Sequence, residues 1–143
     1  MNISRIRALR GPNLWSRNTA IECIVHCTEQ ECDFTQIAHF ETRVRARFPA
    51  IGSLQAQGMD NLLSIGHVLE SAALALQAQA GCPVTFSRTH ATVEEGTYQV
   101  VVEYTEEAVG KQALEQAEAL IQAALNDTPF DAAPVIAALR ELD

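Results

Sequence analysis

The sequence predicts an α+β domain with two layers, in which helices pack on one face of a largely antiparallel sheet in the order ββααββα. Strand-like segments come in pairs with helical segments between them, and the helical segments carry apolar stripes that a sheet face would bury. The chain has 143 residues, 48% of them apolar, which is enough for a core in a single domain.

Two strands open the chain. Residues 2–9 alternate loosely between apolar and polar side chains, and the pair Gly11-Pro12 breaks that pattern. Residues 20–28 are rich in β-branched side chains and predict the second strand.

The first helix follows a capping box formed by Asp33 and Gln36, and Pro49 ends it. Its apolar residues recur at spacings of three and four: Ile37, Phe40, Val44 and Phe48. Three arginines project from several sides of this helix, and we expect water to solvate them: Arg43, Arg45 and Arg47.

The second half of the chain continues with a helix, a hairpin and another helix. The helix is predicted from about Asn61 to Ala80, and Gly81 stops it. The hairpin has strands over 84–90 and 97–104. One face of its second strand holds Tyr98, Val100, Val102 and Tyr104. The last long helix runs from Glu107 to about Asn126, with acidic residues at its N-terminus.

We predict one domain over residues 1–127 and a linker or tail helix over 128–143, which contains Pro134. Polar residues and glycine interrupt every apolar stretch, so we expect no membrane span. The N-terminus lacks the apolar segment of a secretory signal, and we therefore expect a cytoplasmic protein.

The net charge of −8 argues against general nucleic-acid binding. This charge is uneven, because residues 1–50 carry a net +2 and residues 51–143 a net −10. Such polarity suits a ligand with both signs or a neighbouring domain, although an ordinary solvated surface gives the same pattern. Four arginines lie near the N-terminus: Arg5, Arg7, Arg10 and Arg17.

One group of residues has the composition of a metal cluster: Cys23, His26, Cys27 and Cys32. Its spacing differs from that of the common zinc fingers. On a strand, Cys23 and Cys27 share one face while His26 takes the other, which disperses the ligands. We expect free thiols here, with no zinc site and no disulfide.

The chain has no Gly-rich phosphate loop and no GxSxG motif. The second helix holds one chemically suggestive pair, His67 and Glu70, one turn apart and away from its apolar stripe. In HxxEH zinc hydrolases two histidines hold the metal and the Glu activates its water. Here Ser71 takes the place of the second His, so spacing alone favours a hydrogen-bonded structural pair.

Three stretches together resemble the N-terminal domain of the cyanophycin synthetase family: residues 6–16, 65–77 and 81–89. The first is the most specific, since it contains the run RALRGPN followed by Trp15 and Ser16. The resemblance implies that the parent enzyme is an ATP-dependent ligase, which builds a polymer with an aspartate backbone and arginine side chains. It also implies a homo-oligomeric parent, in which an ATP-grasp domain and a Mur-ligase-like domain follow and hold the ATP and Mg²⁺. No cofactor is then expected in this domain.

Some members of that family carry HxxEH with a further Glu four positions on, and they resemble zinc metallopeptidases that clip the polymer into primers. Matched residue by residue, His67 and Glu70 are kept, whereas Ser71 replaces the second His and Ala75 the downstream Glu. The resemblance therefore implies a vestigial site, without catalytic residues or a metal.

The polymer, cyanophycin, presents guanidinium and carboxylate groups in alternation. Guanidinium groups pair best with carboxylates, and the hairpin region offers Glu94, Glu95, Glu103, Glu106 and Glu107. We expect Glu94 and Glu95 to bind polymer guanidinium groups and Arg88 to bind a polymer carboxylate. Two alternatives stay open: the N-terminal arginines bind polymer or the next domain, and Glu94-Glu95-Gly96 is merely a polar turn.

Three functions follow from this interpretation. The expected one is a non-catalytic domain that tethers the nascent polymer, which raises the local concentration of chain ends. The alternatives are a primer-generating zinc hydrolase and a structural module that supports the ligase domains or their oligomer.

Overall fold

The chain folds as an antiparallel sheet packed against helices. A computed structural model describes residues 1–28, 34–52 and 64–143, with side chains from residue 40 onward in the second range. The strands are β1 (Asn2–Leu9), β2 (Ala20–His26), β3 (Ser87–Ala91) and β4 (Thr97–Glu103). In the described ranges the helices are α1 (Phe34–Arg47), α2 (Ile65–Gln79), α3 (Glu107–Asn126) and α4 (Ala132–Leu142), with a 3₁₀ turn at Pro49–Ile51. The strand order β1-β2-β4-β3, antiparallel throughout, confirms the predicted α+β class.

The two central strands, β2 and β4, send alternate side chains to opposite faces of the sheet because of their two-residue period. Cys23 lies opposite Val100 and Ile21 opposite Val102, and all four are buried in the core. The face that carries them, which we call the inner face, is the one that the helices cover. The face predicted for the second hairpin strand is therefore confirmed.

Helices α2 and α3 supply most of the second layer. Leu69 and Leu76 of α2 and Leu120 of α3 are fully buried. Alanines line the same stripes and let the backbones approach closely: Ala72, Ala73, Ala113, Ala117 and Ala124. The apolar stripes predicted from the three- and four-residue spacing are the ones that the core buries.

Two predicted starts lie three or more residues before the observed ones, and β2 ends at His26 rather than at residue 28. Helix α2 begins at Ile65, because Ser64 has extended backbone and its hydroxyl accepts a bond from the His67 amide; the predicted start near residue 61 lies outside the described residues. Strand β3 begins at Ser87 rather than at residue 84. Pro83, just before the predicted start, has no amide hydrogen for a strand ladder. The predicted capping box before α1 also lies outside the described residues.

The arginines of α1 are not simply solvated, which corrects the expectation from sequence. Arg47 has only 14% of its side chain exposed, and it donates to the carbonyl of Thr128 (2.7 Å) and to Asp127 (3.0 Å). Arg43 donates to the carbonyl of Ala124 (3.4 Å). Both therefore stabilise the C-terminal end of α3, where carbonyls lack helical partners and the helix dipole is negative.

The last segment of the chain packs on the core. Leu139 of α4 is fully buried, and Arg140 donates two bonds to the carbonyl of Gln79 (3.2 and 2.9 Å). Asp131 caps this helix by accepting a bond from the Ala133 amide. Residues 132–142 are thus helical, while the domain boundary at residue 127 stays a prediction. No helix in the described ranges is long and apolar enough to cross a membrane.

Candidate functional site

The pair predicted on α2 is split between two different partners. The Nδ1 atom of His67 lies 2.7 Å from the Ser64 hydroxyl, at the N-cap of the helix. Glu70 instead accepts a bond of 2.6 Å from the Thr89 hydroxyl on β3. His67 and Glu70 are half-buried, and burial lowers the pKa of the imidazole and raises the pKa of the carboxyl. The two side chains therefore bond to different neighbours, one on the N-cap of α2 and one on β3.

Close packing of α2 on β3 holds Glu70 against the sheet. A Cβ atom on Gly66 would lie 2.7 Å from the Thr89 methyl and 3.3 Å from Tyr98 Cβ, so a larger residue would force Thr89 or the helix to shift. Ser71 and Ala75, the other two positions of the family motif, are half-buried on the same helix.

These side chains do not fit a zinc ion, which takes three or four protein ligands. In the ranges that the structure describes, no three His, Cys, Asp or Glu side chains are grouped so that they could hold a metal. The cysteine cluster is also dispersed, because Cys23 lies in the core and His26 contacts Thr97 on the other face. Burial raises the pKa of the Cys23 thiol to about 12. Cys32 lies outside the described residues.

The sheet face away from the helices, the outer face, has a different chemistry. Arg7, Glu22, Val101 and Arg88 form one row across the four strands. The Arg7 guanidinium lies 2.8 Å from Glu22, whose second carboxylate oxygen accepts a bond of 3.3 Å from the Trp15 indole. The Trp15 ring also packs on the His90 ring, with centroids 5.0 Å apart. Charged and aromatic side chains are thus in contact with one another on the outer face.

A loop of residues 10–19 covers part of this outer face, and Asn13 organises it. The Asn13 side chain accepts bonds from the amides of Trp15 and Ser16, both 2.9 Å. It donates to the carbonyls of Arg10 (3.1 Å) and Asn18 (2.8 Å). These four bonds use both functions of the carboxamide.

Gly11 closes the same loop. A Cβ atom at this position would lie 2.4 Å from the carbonyl oxygen of Arg17, so no other residue fits without moving the backbone. The run RGPN followed by Trp15 and Ser16 is therefore a structural signature that sets side chains over the sheet.

Comparison with known proteins identifies the family. The profile of the cyanophycin synthase-like N-terminal domain matches residues 21–126, which is more than half of the chain. The chain belongs to this family. A cyanophycin synthetase of Trichormus variabilis and one of Nostoc sp. are each 35% identical over 134 residues, which cover 85% of this chain and 15% of the relative. A cyanophycin synthetase of Geminocystis herdmanii is 32% identical over 126 residues, or 79% of this chain and 14% of the relative. The chain thus spans a small part of the length of these relatives.

In this cyanophycin synthase-like domain, the three predicted polymer-binding residues lie on one hairpin. Arg88 lies on the outer face of the edge strand β3, while Glu94 and Glu95 lie in the turn between β3 and β4. All three side chains are exposed. Among the described residues, no ion pair joins any of them to another side chain. They are available to a ligand, and whether they bind it stays a prediction.

Sequence reasoning did not select the polar residues around the N-terminal loop. Trp15, Glu22 and His90 are not among the predicted site residues, and Glu103 is one of five carboxylates that the sequence offers near the hairpin. The strand sequences do contain a signal for two of these residues. Glu22 and Glu103 interrupt or end apolar runs at positions that the two-residue period assigns to the outer face.

Proposed function

We propose that this domain binds cyanophycin, the arginine- and aspartate-containing polymer, and tethers it for the ligase domains of a cyanophycin synthetase. Polymer synthesis itself, with its ATP and Mg²⁺, belongs in this proposal to the ATP-grasp and Mur-ligase-like domains of the same parent chain. The observation that carries the proposal is the pairing of exposed charges of both signs on one hairpin, on Arg88, Glu94 and Glu95.

The physical basis is complementarity to a repeating ligand. A guanidinium group meets a carboxylate through two parallel hydrogen bonds, so Glu94 and Glu95 suit the arginine side chains of the polymer. Arg88 suits the free carboxylates between them. The turn residues lie about 10 Å or more along the hairpin from Arg88, since a strand rises about 3.3 Å per residue. One extended polymer segment spans that distance.

Weak contacts suffice for such a tether. An exposed ion pair contributes only about 0–1 kcal/mol, so affinity must come from many contacts along the polymer. Exposed charges further apart than about 8–10 Å are screened near physiological salt. Binding is therefore expected to weaken as the salt concentration rises.

The experiment compares the double variant Glu94→Gln/Glu95→Gln and the single variant Arg88→Ala with the unmodified domain in a polymer-binding assay. Each change should lower affinity several-fold and leave the melting temperature nearly unchanged, because the altered side chains are exposed. Glu115→Gln, an exposed carboxylate on α3, is the matched control and should bind as the unmodified domain does. Unaltered affinity in both hairpin variants would move the site elsewhere; no binding by the unmodified domain would favour a structural module.

A hydrolase role makes a different prediction, which zinc binding tests. The proposal expects no zinc in the purified domain and no release of short fragments from the polymer. Restoring the family motif with Ser71→His and Ala75→Glu should produce zinc binding, since His67 keeps its Nε2 atom and the Ser64 hydroxyl orients its ring. Stoichiometric zinc in the unmodified domain, or cleavage by it, would contradict the non-catalytic role.

A further inference from the structure

A cleft at one end of the sheet has no role in the site described above. It has a volume of about 580 Å³ and lies between residues 11–19 of the loop, residues 83–85 before β3, and residues 103–105 at the end of β4. Its volume is in the range of small-ligand sites. Two charged side chains line it, Arg17 and Glu103.

Glu103 is the unusual group in this cleft, because it is only 6% exposed. A buried carboxylate normally has a cationic partner. In the described part of the chain, no Lys, Arg or His forms an ion pair with Glu103. Its partners are neutral: the Ser16 hydroxyl donates to Oε1, and the Asn18 side chain donates at 3.4 and 3.3 Å to the two oxygens.

These neutral donors leave acceptor capacity on the carboxylate. An ionised carboxylate has about four acceptor sites, and among the described residues only Asn18 donates to Oε2 of Glu103, through a long bond. Hydrogen bonds also fix the backbone of Glu103. Its amide donates to the Phe86 carbonyl (3.0 Å), and its carbonyl accepts a bond from the buried Gln77 side chain (3.0 Å).

We infer that this cleft binds a guanidinium group on Glu103, in a ligand whose carboxylate lies toward Arg17. The ligand class is an arginine derivative that bears a free carboxylate. This chemistry is argued from the cleft alone, whereas its identity as a unit of the polymer rests on the proposed function.

Three small probes separate the two charges of the ligand. Nα-acetyl-arginine has the guanidinium and the carboxylate, Nα-acetyl-citrulline replaces the guanidinium by a neutral urea of the same shape, and Nα-acetyl-arginine amide lacks the carboxylate. Trp15 is the only tryptophan of the chain, and it precedes Ser16, so its fluorescence reports on the loop. Chemical-shift titration gives the second readout.

The unmodified domain should bind Nα-acetyl-arginine about tenfold or more tightly than the citrulline probe, because a charge-assisted bond to a buried carboxylate is lost in the latter. It should bind the amide several-fold more weakly. Glu103→Gln, which keeps an acceptor for Ser16 and Asn18, should abolish the preference for arginine over citrulline. Arg17→Ala should abolish only the preference for the acid over the amide.

Glu115→Gln is the matched control, since that carboxylate is exposed on α3 and outside the cleft lining. Equal affinity for the three probes, or a guanidinium preference that survives in folded Glu103→Gln, overturns the inference. If Glu103→Gln does not fold, the relative affinities of the three probes for the unmodified domain still test the inference. If the polymer binds through the hairpin while the probes do not bind, the cleft inference fails and the proposed function stands. If the probes bind with the expected preferences while the polymer does not bind, the proposed function fails and the cleft inference stands.

Discussion

The two faces of the sheet are built from the same strands by different forces. On the inner face, residues such as Cys23 and Val100 pack against helices that exclude water. On the outer face, Glu22 forms an ion pair with Arg7 of β1 and accepts a hydrogen bond from Trp15 of the loop. Glu103 accepts a hydrogen bond from Ser16 of the same loop. Apolar burial stabilises in proportion to area, whereas each polar contact contributes about 1 kcal/mol net. The inner face therefore contributes most of the stability, and the outer face presents most of the charged groups of the sheet.

The largest expected effect on stability comes from truncating a core residue that packs against the inner face. Leu69 is fully buried beneath the sheet, so Leu69→Ala should lower the free energy of unfolding by about 2–5 kcal/mol. Leu14→Ala in the outer loop is the control, because that side chain is 88% exposed and should change stability by less than about 0.5 kcal/mol. Urea denaturation measures both; similar losses for the two variants would contradict the contrast between the faces.

A smaller effect is expected from the outer loop. Asn13→Ala removes four hydrogen bonds and should lower the free energy of unfolding by about 1–2 kcal/mol, since two of these bonds are exposed and two are only partly buried. It should also change the emission of Trp15, whose amide depends on Asn13. Both effects are measured in one fluorescence-monitored denaturation.

Asn13→Asp sharpens this result. The aspartate keeps the two acceptor bonds to the amides of Trp15 and Ser16 and loses the two donor bonds. Its stability should lie between those of the unmodified domain and Asn13→Ala. Native Trp15 emission in Asn13→Ala would mean that the loop does not depend on this side chain.

The smallest effect concerns Glu70, a carboxylate held on the helix side of the sheet. Burial raises its pKa in the folded state, so between the ordinary and the raised value the folded state binds more protons than the unfolded state. Stability then falls as the pH rises through that window. Glu70→Gln keeps an acceptor for the Thr89 hydroxyl and removes the charge.

The gain in stability of Glu70→Gln over the unmodified domain should therefore be small at about pH 4 and larger at about pH 7. Denaturation at both pH values measures it, and the exposed Glu115→Gln is again the control. A gain that does not grow with pH would show that the charge of Glu70 is compensated in the folded state.

The helices and the inner face were predictable from sequence because their signals are periodic and local. Spacings of three and four marked the residues that α2 and α3 bury, and β-branched alternation marked β2 and β4. Arg47 was assigned wrongly to solvent, since the end of α3 that it binds is about 80 residues away along the chain. Helical spacing predicts that His67 and Glu70 lie one turn apart, but it does not predict their partners on the N-cap and on β3.

The sequence by itself determined the class of the fold, the family, and the loss of the second His of the HxxEH motif and of the Glu that follows it. Tertiary structure alone decided what the polar residues do. Ser16 meets Glu103 across 87 positions of the chain, because the antiparallel register of β2 and β4 brings the loop beside the end of β4. Local patterns fix which way a side chain points, but the pairing of distant strands fixes what it meets.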